Sequence, residues 1–144
     1  MSTVSEIIER KGNMVLCVDQ SESVYDAISL MAQVNIGAVL VKEHENIAGI
    51  FTERDYLQKI ALESRSSRET RVREVMSSPV ISAAPNDSIE SCLETMTHCR
   101  CRHLPIVAEG NLLGIVSIGD LVKQLLEEKQ AEVQQLSHYI AGSY

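Results

Sequence analysis

One phrase occurs twice in the sequence at a fixed spacing. GIFTERD, residues 49–55, and GIVSIGD, residues 114–120, lie 65 residues apart (114 − 49 = 65), and the same register continues without a gap over residues 15–57. Few aligned residues are identical, but their hydrophobic class is retained. Such self-similarity is typical of a fold built from two copies of one supersecondary unit. One copy of about 45 residues cannot bury a sheet face alone, so we expect the two copies to pack together.

Both copies show the same order of elements. A short apolar strand, VLCV (residues 15–18) or VIS (80–82), precedes a polar turn whose Ser and Asp residues are candidates for a helix N-cap. An amphipathic helix follows, then a hairpin of two strands, and then a second helix that opens at Thr52 or Ser117. We therefore predict a mixed α/β (α+β) fold of two pseudo-symmetric β-α-β-β-α repeats packed through their sheets.

Additional segments flank the two copies. VSEII near the start echoes the apolar element VREVM that leads into the second copy, and a polar, Ser- and Arg-rich stretch between the copies is expected to be an exposed linker. A long helix should extend beyond the second copy, and its apolar stripe would pack either on a partner subunit or back on its own domain. The predicted division is residues 1–63 for an N-terminal helix with repeat 1, 64–78 for the linker and leading element, 79–128 for repeat 2, and 129–144 for a helical tail.

The composition argues against several classes of partner. A net charge of −7 disfavours binding to free nucleic acid, which depends on clustered Lys and Arg. The sequence contains no apolar run of the roughly 18 to 20 residues that a membrane span needs, and its first residues lack the layout of a signal peptide. We therefore expect a cytoplasmic protein with four reduced cysteines. Since aromatic residues make up only 3%, a planar ligand would be held mainly between aliphatic side chains.

The end of each phrase supports two interpretations. Thr52-x-x-Asp55 and Ser117-x-x-Asp120 nearly match a capping box, in which case both aspartates only start helices. The same position also suits a nucleoside, because a carboxylate there can accept hydrogen bonds from both ribose hydroxyls while the helix N-terminus attracts an anion. A capping box needs no second copy at a fixed offset, so the duplication favours the second interpretation. One aspartate can serve both purposes.

With these two phrases the sequence resembles a tandem pair of CBS domains, also called a Bateman module. The mark of that family is Gly-hydrophobic-x-Thr/Ser-x-x-Asp at the end of each copy, and a Leu-Pro-Ile-Val strand before the second phrase fits as well. The resemblance covers residues 15–126, and IIERKG and YIAGSY at the two ends are similar to small CBS-pair proteins of bacteria and plant organelles. It implies a regulatory, non-catalytic sensor that binds an adenosine ligand, AMP, ADP, ATP, NAD(H) or S-adenosylmethionine, in clefts between the copies. It also implies a homodimer, formed by flat faces, and a possible regulated protein partner.

The resemblance implies roles for particular residues. Asp55 and Asp120 would hold ribose hydroxyls with support from Thr52 and Ser117. The other implied positions are Leu16, Ile50, Ile81 and Ile115 around adenine, Ile36, Gly37, Cys101 and Arg102 before the second strand, and Lys11, Arg54, Arg102 and His103 at phosphate. Charged donors near the clefts favour a phosphorylated ligand, such as AMP, ADP, ATP or NAD(H), over S-adenosylmethionine. The two sites are unequal, because Gly119 stands in the second copy where Arg54 stands in the first.

Two other hypotheses remain open. The chain could be a ligand-independent dimerisation or interaction scaffold in which both aspartates are plain helix caps. HCRCRH, residues 98–103, could instead sense thiol oxidation or bind a metal through Cys99 and Cys101. No Ser-His-Asp, paired-carboxylate or Walker pattern is present, so we predict no catalytic residues, no catalytic cofactor and no metal site.

Overall fold

The computed structural model describes residues 2–11, 16–78 and 80–142. Its internal contacts divide the chain into two compact units. The first-repeat unit is Val15–Ile81, and the second-repeat unit combines Met1–Met14 with Ser82–Tyr144. The N-terminal segment therefore belongs with repeat 2, whereas the order along the chain had placed it with repeat 1.

The predicted order of elements is found with two differences. The elements are α1 (Val4–Lys11), β1 (Cys17–Asp19), α2 (Val24–Val34), β2 (Ala38–Glu43), β3 (Asn46–Thr52), α3 (Glu53–Tyr56), a π-helix (Leu57–Ala61), a 3₁₀ turn (Val72–Glu74), α4 (Ile89–Cys99), β4 (His103–Ala108), β5 (Asn111–Ser117) and α5 (Ile118–Gly142). The second helix of repeat 1 thus changes to π geometry after one turn. The predicted strand at residues 80–82 is absent.

The first-repeat unit contains a sheet in the order β1-β2-β3. β1 runs parallel to β2, and β2 and β3 form an antiparallel hairpin in which Leu40 lies opposite Ile50. α2 starts at Ser23, whose side chain accepts the Asp26 amide, and it ends at Asn35 in the left-handed conformation. Asn tolerates that conformation better than most residues, so it is a suitable helix stop.

The second-repeat unit reproduces this arrangement apart from its first strand. β4 and β5 form the matching hairpin, with Pro105 opposite Ile115. Parallel pairing with β4 is reduced to a single bridge between Ala83 and Ile106. In repeat 1 the Leu40 amide donates to the Leu16 carbonyl at 3.2 Å, but Pro105 stands in the place of Leu40 and has no N–H to donate. The strand predicted at residues 80–82 was wrong for this reason.

Each unit is completed by a leading segment that the chain order assigns to the other repeat. In the first-repeat unit the Val72 amide donates to the Glu22 carbonyl at 2.9 Å, and in the second-repeat unit the Val4 amide donates to the Asp87 carbonyl at 3.1 Å. Val4 and Val72 are both fully buried. α1 therefore packs on repeat 2 as the segment around the 3₁₀ turn packs on repeat 1. The predicted exposed linker is correspondingly ordered at its end, where Thr70 is buried.

The cores of the two units are aliphatic. Phe51 and Leu40 are among the fully buried side chains of the first-repeat unit, and Ile89 and Leu104 among those of the second. Beyond its first turns α5 leaves its apolar residues exposed, so of the two alternatives for the tail, packing back on its own domain does not occur at residues 129–140. Among the described residues no helix is long and apolar enough to cross a membrane.

Candidate functional site

Both phrases lie where the last hairpin strand of a repeat passes into a helix. Thr52 pairs with Ala38 at the end of β3, and Ser117 pairs with His103 at the end of β5. The next residue in each repeat donates its amide to the residue just before the first strand of the hairpin: Glu53 to the Gly37 carbonyl at 3.1 Å, and Ile118 to the Arg102 carbonyl at 2.9 Å. The two strand-to-helix junctions are therefore built in the same way.

Asp55 forms a complete capping box and has two further partners. Its Oδ2 accepts the Thr52 amide at 3.0 Å, and the Asp55 amide donates to Thr52 Oγ1 at 3.2 Å. Its Oδ1 accepts the Ser77 hydroxyl at 3.0 Å and lies 3.1 Å from Lys59 Nζ. The residue is only 6% exposed. A buried carboxylate of this kind is stable because each of its oxygens accepts a hydrogen bond and a cation lies beside it.

Asp120 has the same cap but a different neighbour. Its Oδ2 accepts the Ser117 amide at 2.9 Å, and its own amide donates to Ser117 Oγ at 3.1 Å. The same Oδ2 also accepts Lys11 Nζ at 2.7 Å, while Nζ reaches the Ile115 carbonyl at 3.1 Å. The Asp120 side chain is 26% exposed. Lys11 is the last residue of α1. Because α1 packs on repeat 2, this cation lies beside the aspartate of repeat 2.

The charge of Lys11 affects the titration of Asp120. Partial burial raises the pKa of Asp120, but hydrogen bonds from Lys11 and from the Ser117 amide, together with the Lys11 charge, lower it by more. The net pKa lies below the ordinary value for an aspartate. The group is therefore ionised at neutral pH and can accept hydrogen bonds from hydroxyls.

The glycine of each phrase allows a leading segment to approach its strand. A Cβ on Gly49 would lie 2.7 Å from Met76 Sδ and 2.9 Å from the Ser77 carbonyl oxygen, and a Cβ on Gly114 would lie 2.5 Å from Ile8 Cδ1. Ile50 and Ser77 exchange two backbone hydrogen bonds beside the first glycine. The glycines are thus explained by packing, a role that the sequence did not reveal.

The apolar residues predicted around adenine differ in their surroundings. Leu16 and Ile36 pack against the core of the first-repeat unit, and Cys101 packs against that of the second. Ile50 and Ile115 are half-buried at corresponding positions of β3 and β5, on the opposite side of the strand from Phe51 and Val116, and Ile81 is 43% exposed. Ile50, Ile81 and Ile115 therefore keep apolar surface that a ligand could cover.

The predicted phosphate ligands divide between the units. Arg54 lies in the first-repeat unit, is exposed and has no ion pair with any residue that the structure describes. Lys11, Arg102 and His103 belong to the second-repeat unit, in which Arg102 is exposed and His103 is half-buried at the start of β4. The structure thus brings three of the four predicted cations into the unit that contains Asp120.

The thiol positions favour a structural role. Cys99 and Cys101 are free thiols. The pKa of Cys101 is raised mainly by its burial and, to a smaller extent, by the charge of the neighbouring Cys99. A raised pKa reduces the thiolate fraction on which oxidation and metal binding depend. Over the described ranges, no group of three or more His, Cys, Asp or Glu side chains is placed to hold a metal ion.

Sequence reasoning missed Ser77 and Lys59 as partners of Asp55, and Ile8 and Met76 as neighbours of the phrase glycines. One signal pointed to them. VSEII and VREVM are offset by 68 residues rather than 65, and in that alignment Ile8 corresponds to Met76. The difference in offset hid the leading segments from the repeat alignment.

Comparison with known proteins agrees with this geometry. The family model of the CBS domain matches residues 4–62 and 72–127. The mitochondrial CBS domain-containing protein CBSX3 of Arabidopsis thaliana is 37% identical over 152 residues, which cover 99% of this chain and 74% of that protein. YhcV of Bacillus subtilis, also a CBS domain-containing protein, is 35% identical over 140 residues, covering 97% of this chain and 92% of YhcV. A solved structure of a protein with CBS domains from Burkholderia ambifaria has a TM-score of 0.85 and 45% identity, covering 88% of this chain and 95% of that one.

These matches confirm the resemblance drawn from the sequence. The two matched segments span most of the chain, and each ends shortly after one of the two phrases. The family model, the fold and the repeated motif all indicate the same family. The chain therefore belongs to the CBS-domain family and contains a tandem pair of CBS domains.

Proposed function

We propose that this CBS pair is a non-catalytic regulatory module that binds an adenosine nucleotide, AMP, ADP, ATP or NAD(H), as an effector. The observation that carries the proposal is the arrangement at Asp120. An ionised, partly exposed carboxylate lies at the junction of β5 and α5, with the cationic Lys11 at 2.7 Å. A carboxylate in this position can accept hydrogen bonds from ribose hydroxyls, as acidic residues do in dinucleotide-binding folds.

The surroundings of Asp120 supply the other parts of a nucleotide site. Ile115 offers a half-buried aliphatic surface for adenine, which suits a protein with few aromatic residues. Lys11, Arg102 and His103 provide donors for phosphate, and the N-terminus of α5 favours an anion. In the first-repeat unit Ile50, Thr52, Arg54 and Asp55 occupy the corresponding places.

Regulation would follow from unequal affinity. A ligand shifts a conformational or association equilibrium only as far as it binds one state more tightly than the other. Lys11 connects the ligand site to α1, because its ammonium group would exchange an Asp120 oxygen for a phosphate oxygen when a nucleotide binds. The N-terminal helix is therefore the element whose position or stability we expect the nucleotide to change.

Isothermal titration calorimetry with AMP, ATP and NADH tests the proposal. We expect at least one of them to bind, and Lys11→Met to weaken a phosphorylated ligand more than adenosine. Lys42→Met removes a cation near the end of β2 that lies away from Thr52, and this matched control should change affinity little. Absence of heat with all three ligands would refute the nucleotide-sensor function and favour a ligand-independent scaffold.

We also propose that the chain forms a homodimer through the exposed part of α5. Leu126, Val133, Leu136 and Ile140 are each 57–62% exposed and alternate at seven- and three- or four-residue spacing, as in a coiled coil. Lys129 interrupts this seam. A parallel, in-register pair would oppose the two Lys129 ammonium groups, whereas an antiparallel pair separates them, so we propose the antiparallel arrangement.

Light scattering at micromolar concentration tests this association. We expect a dimeric mass for the unaltered chain, a monomeric mass for Leu136→Glu, and a tighter dimer for Lys129→Leu. Gln134→Glu, a charge change away from the seam, is the matched control and should remain dimeric. A monomeric mass for the unaltered chain would refute the dimer.

A further inference from the structure

The helix that follows the phrase is long in repeat 2 and short in repeat 1, and the leading segments differ in the same way. α5 has 25 residues, whereas the helix of repeat 1 changes to π geometry at Leu57 and ends at Ala61. The leading segment of repeat 1 forms only a three-residue 3₁₀ turn, and that of repeat 2 forms the eight-residue α1. The longer helix is therefore the one that has a helical neighbour.

The polar contacts between the N-terminal segment and α5 run antiparallel along the first three turns of α5. The end of α1 lies at the start of α5, where Lys11 Nζ donates to Asp120 Oδ2 at 2.7 Å. At the other end the Ser2 amide donates to Glu128 Oε1, also at 2.7 Å. The N-terminal segment thus follows α5 as far as Glu128, and the exposed part of the helix, residues 129–140, begins directly after it.

Gln124 lies between these two ends and is the polar centre of the contact. It is only 9% exposed. Its Oε1 atom accepts the Arg10 guanidinium, and its Nε2 atom donates to Ser2 Oγ at 3.4 Å and to Glu6 Oε2 at 3.3 Å. Arg10 also forms an ion pair with Glu127 at 2.9 Å. Ser2, Glu6 and Arg10 follow one another at the four-residue spacing of neighbours on one side of a helix. We call the contacts of these three residues with α5 the clasp.

The clasp and the proposed dimer seam use opposite sides of α5. An α-helix turns about 100° per residue, so the α5 residues of the clasp lie roughly opposite the seam, which consists of Leu126, Val133, Leu136 and Ile140. The side between them is buried in the core of the second-repeat unit at Leu121. The two contacts therefore do not compete for one surface, and both can stabilise the same turns of α5.

We propose that α1 acts through the clasp to keep α5 helical into its exposed tail, and that it thereby supports association through the seam. An isolated helix shorter than about 12–15 residues is marginal in water, so the stability of residues 129–140 depends on the turns that precede them. The clasp fixes those turns. Because a coupling free energy is reciprocal, formation of the seam should in turn strengthen the docking of α1. This second half of the inference rests on the proposed dimer.

Amide hydrogen exchange tests the effect of the clasp on the tail. Gln124→Ala removes the centre of the clasp, and we expect the amides of residues 129–135 to exchange about three- to tenfold faster, the effect of losing one ordinary hydrogen bond. Glu128→Ala removes the contact with Ser2 and should act in the same direction, so the test remains possible if Gln124→Ala does not fold. Lys123→Ala changes an exposed residue of the same turn and is the matched control, in which tail exchange should not change. Equal tail exchange in the clasp variants and the control would overturn the proposal.

The same measurement on a seam variant tests the reciprocal coupling. Leu136 lies about two turns beyond Glu128 and outside the clasp. We expect the amides of α1 to exchange at least about threefold faster in monomeric Leu136→Glu than in dimeric Gln134→Glu. Equal exchange of α1 in these two proteins would overturn the coupling while leaving the dimer intact.

The outcomes separate this inference from the proposed function. A monomeric mass for the unaltered chain would refute the dimer together with the reciprocal half, and tail exchange in Gln124→Ala would still decide the first half. Neither measurement contains a nucleotide, so failure of the clasp is distinct from failure of nucleotide binding.

Discussion

Substituting Gly114 tests the packing of α1 on the hairpin of repeat 2. An alanine Cβ at this position would lie 2.5 Å from Ile8 Cδ1, whereas its distances to Ile8 Cγ1 and Cγ2 would both be 3.6 Å. Carbon atoms prefer separations of about 3.5–4.0 Å, so the clash is with one terminal methyl group and needs a shift of about 1 Å to relieve it. Overpacking of a buried site by one methyl group typically costs about 1–3 kcal/mol, and we expect Gly114→Ala to destabilise the protein by that amount.

Removing the clashing methyl group should rescue this variant. Ile8→Val deletes Cδ1, and in the unaltered chain it should cost about 0.5–1.5 kcal/mol because Ile8 is 7% exposed. In the double variant only the ordinary 3.6 Å contacts remain, so its destabilisation should fall short of the sum of the two single effects by about 1 kcal/mol or more. Urea unfolding of the four proteins, with equal m values, measures this coupling.

The matching glycine of repeat 1 provides the control. Gly49→Ala meets a backbone atom, the Ser77 carbonyl oxygen at 2.9 Å, which cannot rotate away as a side chain can. We expect it to cost more than Gly114→Ala, with no rescue by Ile8→Val, since Ile8 lies against Gly114. Additive free energies for Gly114→Ala and Ile8→Val, or rescue of Gly49→Ala by Ile8→Val, would refute the assignment of α1 to repeat 2.

The remaining predictions concern titration and the thiols. The folded-state pKa of Asp120 lies below the ordinary value of an aspartate, so its ion pair with Lys11 should stabilise the protein at neutral pH and lose this effect as the pH falls through the folded-state pKa. Lys11→Met should therefore reduce stability at pH 7 and make stability less sensitive to acid below about pH 4, as measured by thermal unfolding from about pH 2 to 7. Cys92 is 1% exposed, and its burial, together with the charge of Asp87, raises its pKa to about 11. Cys92 should therefore be the slowest of the four thiols to react with a thiol reagent at pH 8, and Cys92→Ser should remove the slowest phase of that reaction. Fast reaction of all four thiols in the folded protein would contradict the buried position of Cys92.

Local patterns predicted most of the helices and strands correctly. Ser23 and Ser88 each cap a helix as the polar turns predicted, and the spacing of apolar residues identified α2, α4 and both hairpins. The strand at residues 80–82 failed because apolar composition indicates a strand without showing whether a partner amide exists. Pro105 removes that amide from the neighbouring strand, and its effect depends on a pairing that the sequence does not display.

The site was predicted in part for a related reason. Thr52, Asp55, Ser117 and Asp120 take the places that the repeated phrase predicts, and both aspartates cap helices as the simpler interpretation required. Their unequal hydrogen bonding depends on Ser77 and Lys11, which lie 22 and 109 residues away along the chain. An alignment of the two repeats at the 65-residue offset shows only the residues that the copies share. Lys11 and Ser77 lie in the leading segments, which are related by a different offset, so that alignment does not reveal them.

The leading segments make the two repeats depend on each other for folding. Gly114 is close to Ile8 of α1, and Gly49 is close to Met76, so each repeat buries a segment that the chain order assigns to the other. A fragment ending at residue 63 would contain α1 without the repeat-2 core in which Val4 and Ile8 are buried, and its repeat would lack the segment that covers Gly49. Neither repeat forms a complete unit with its own preceding segment. A change at Lys11 therefore acts on α1, an element that precedes repeat 1 in the chain but packs on repeat 2 and contacts Asp120 there.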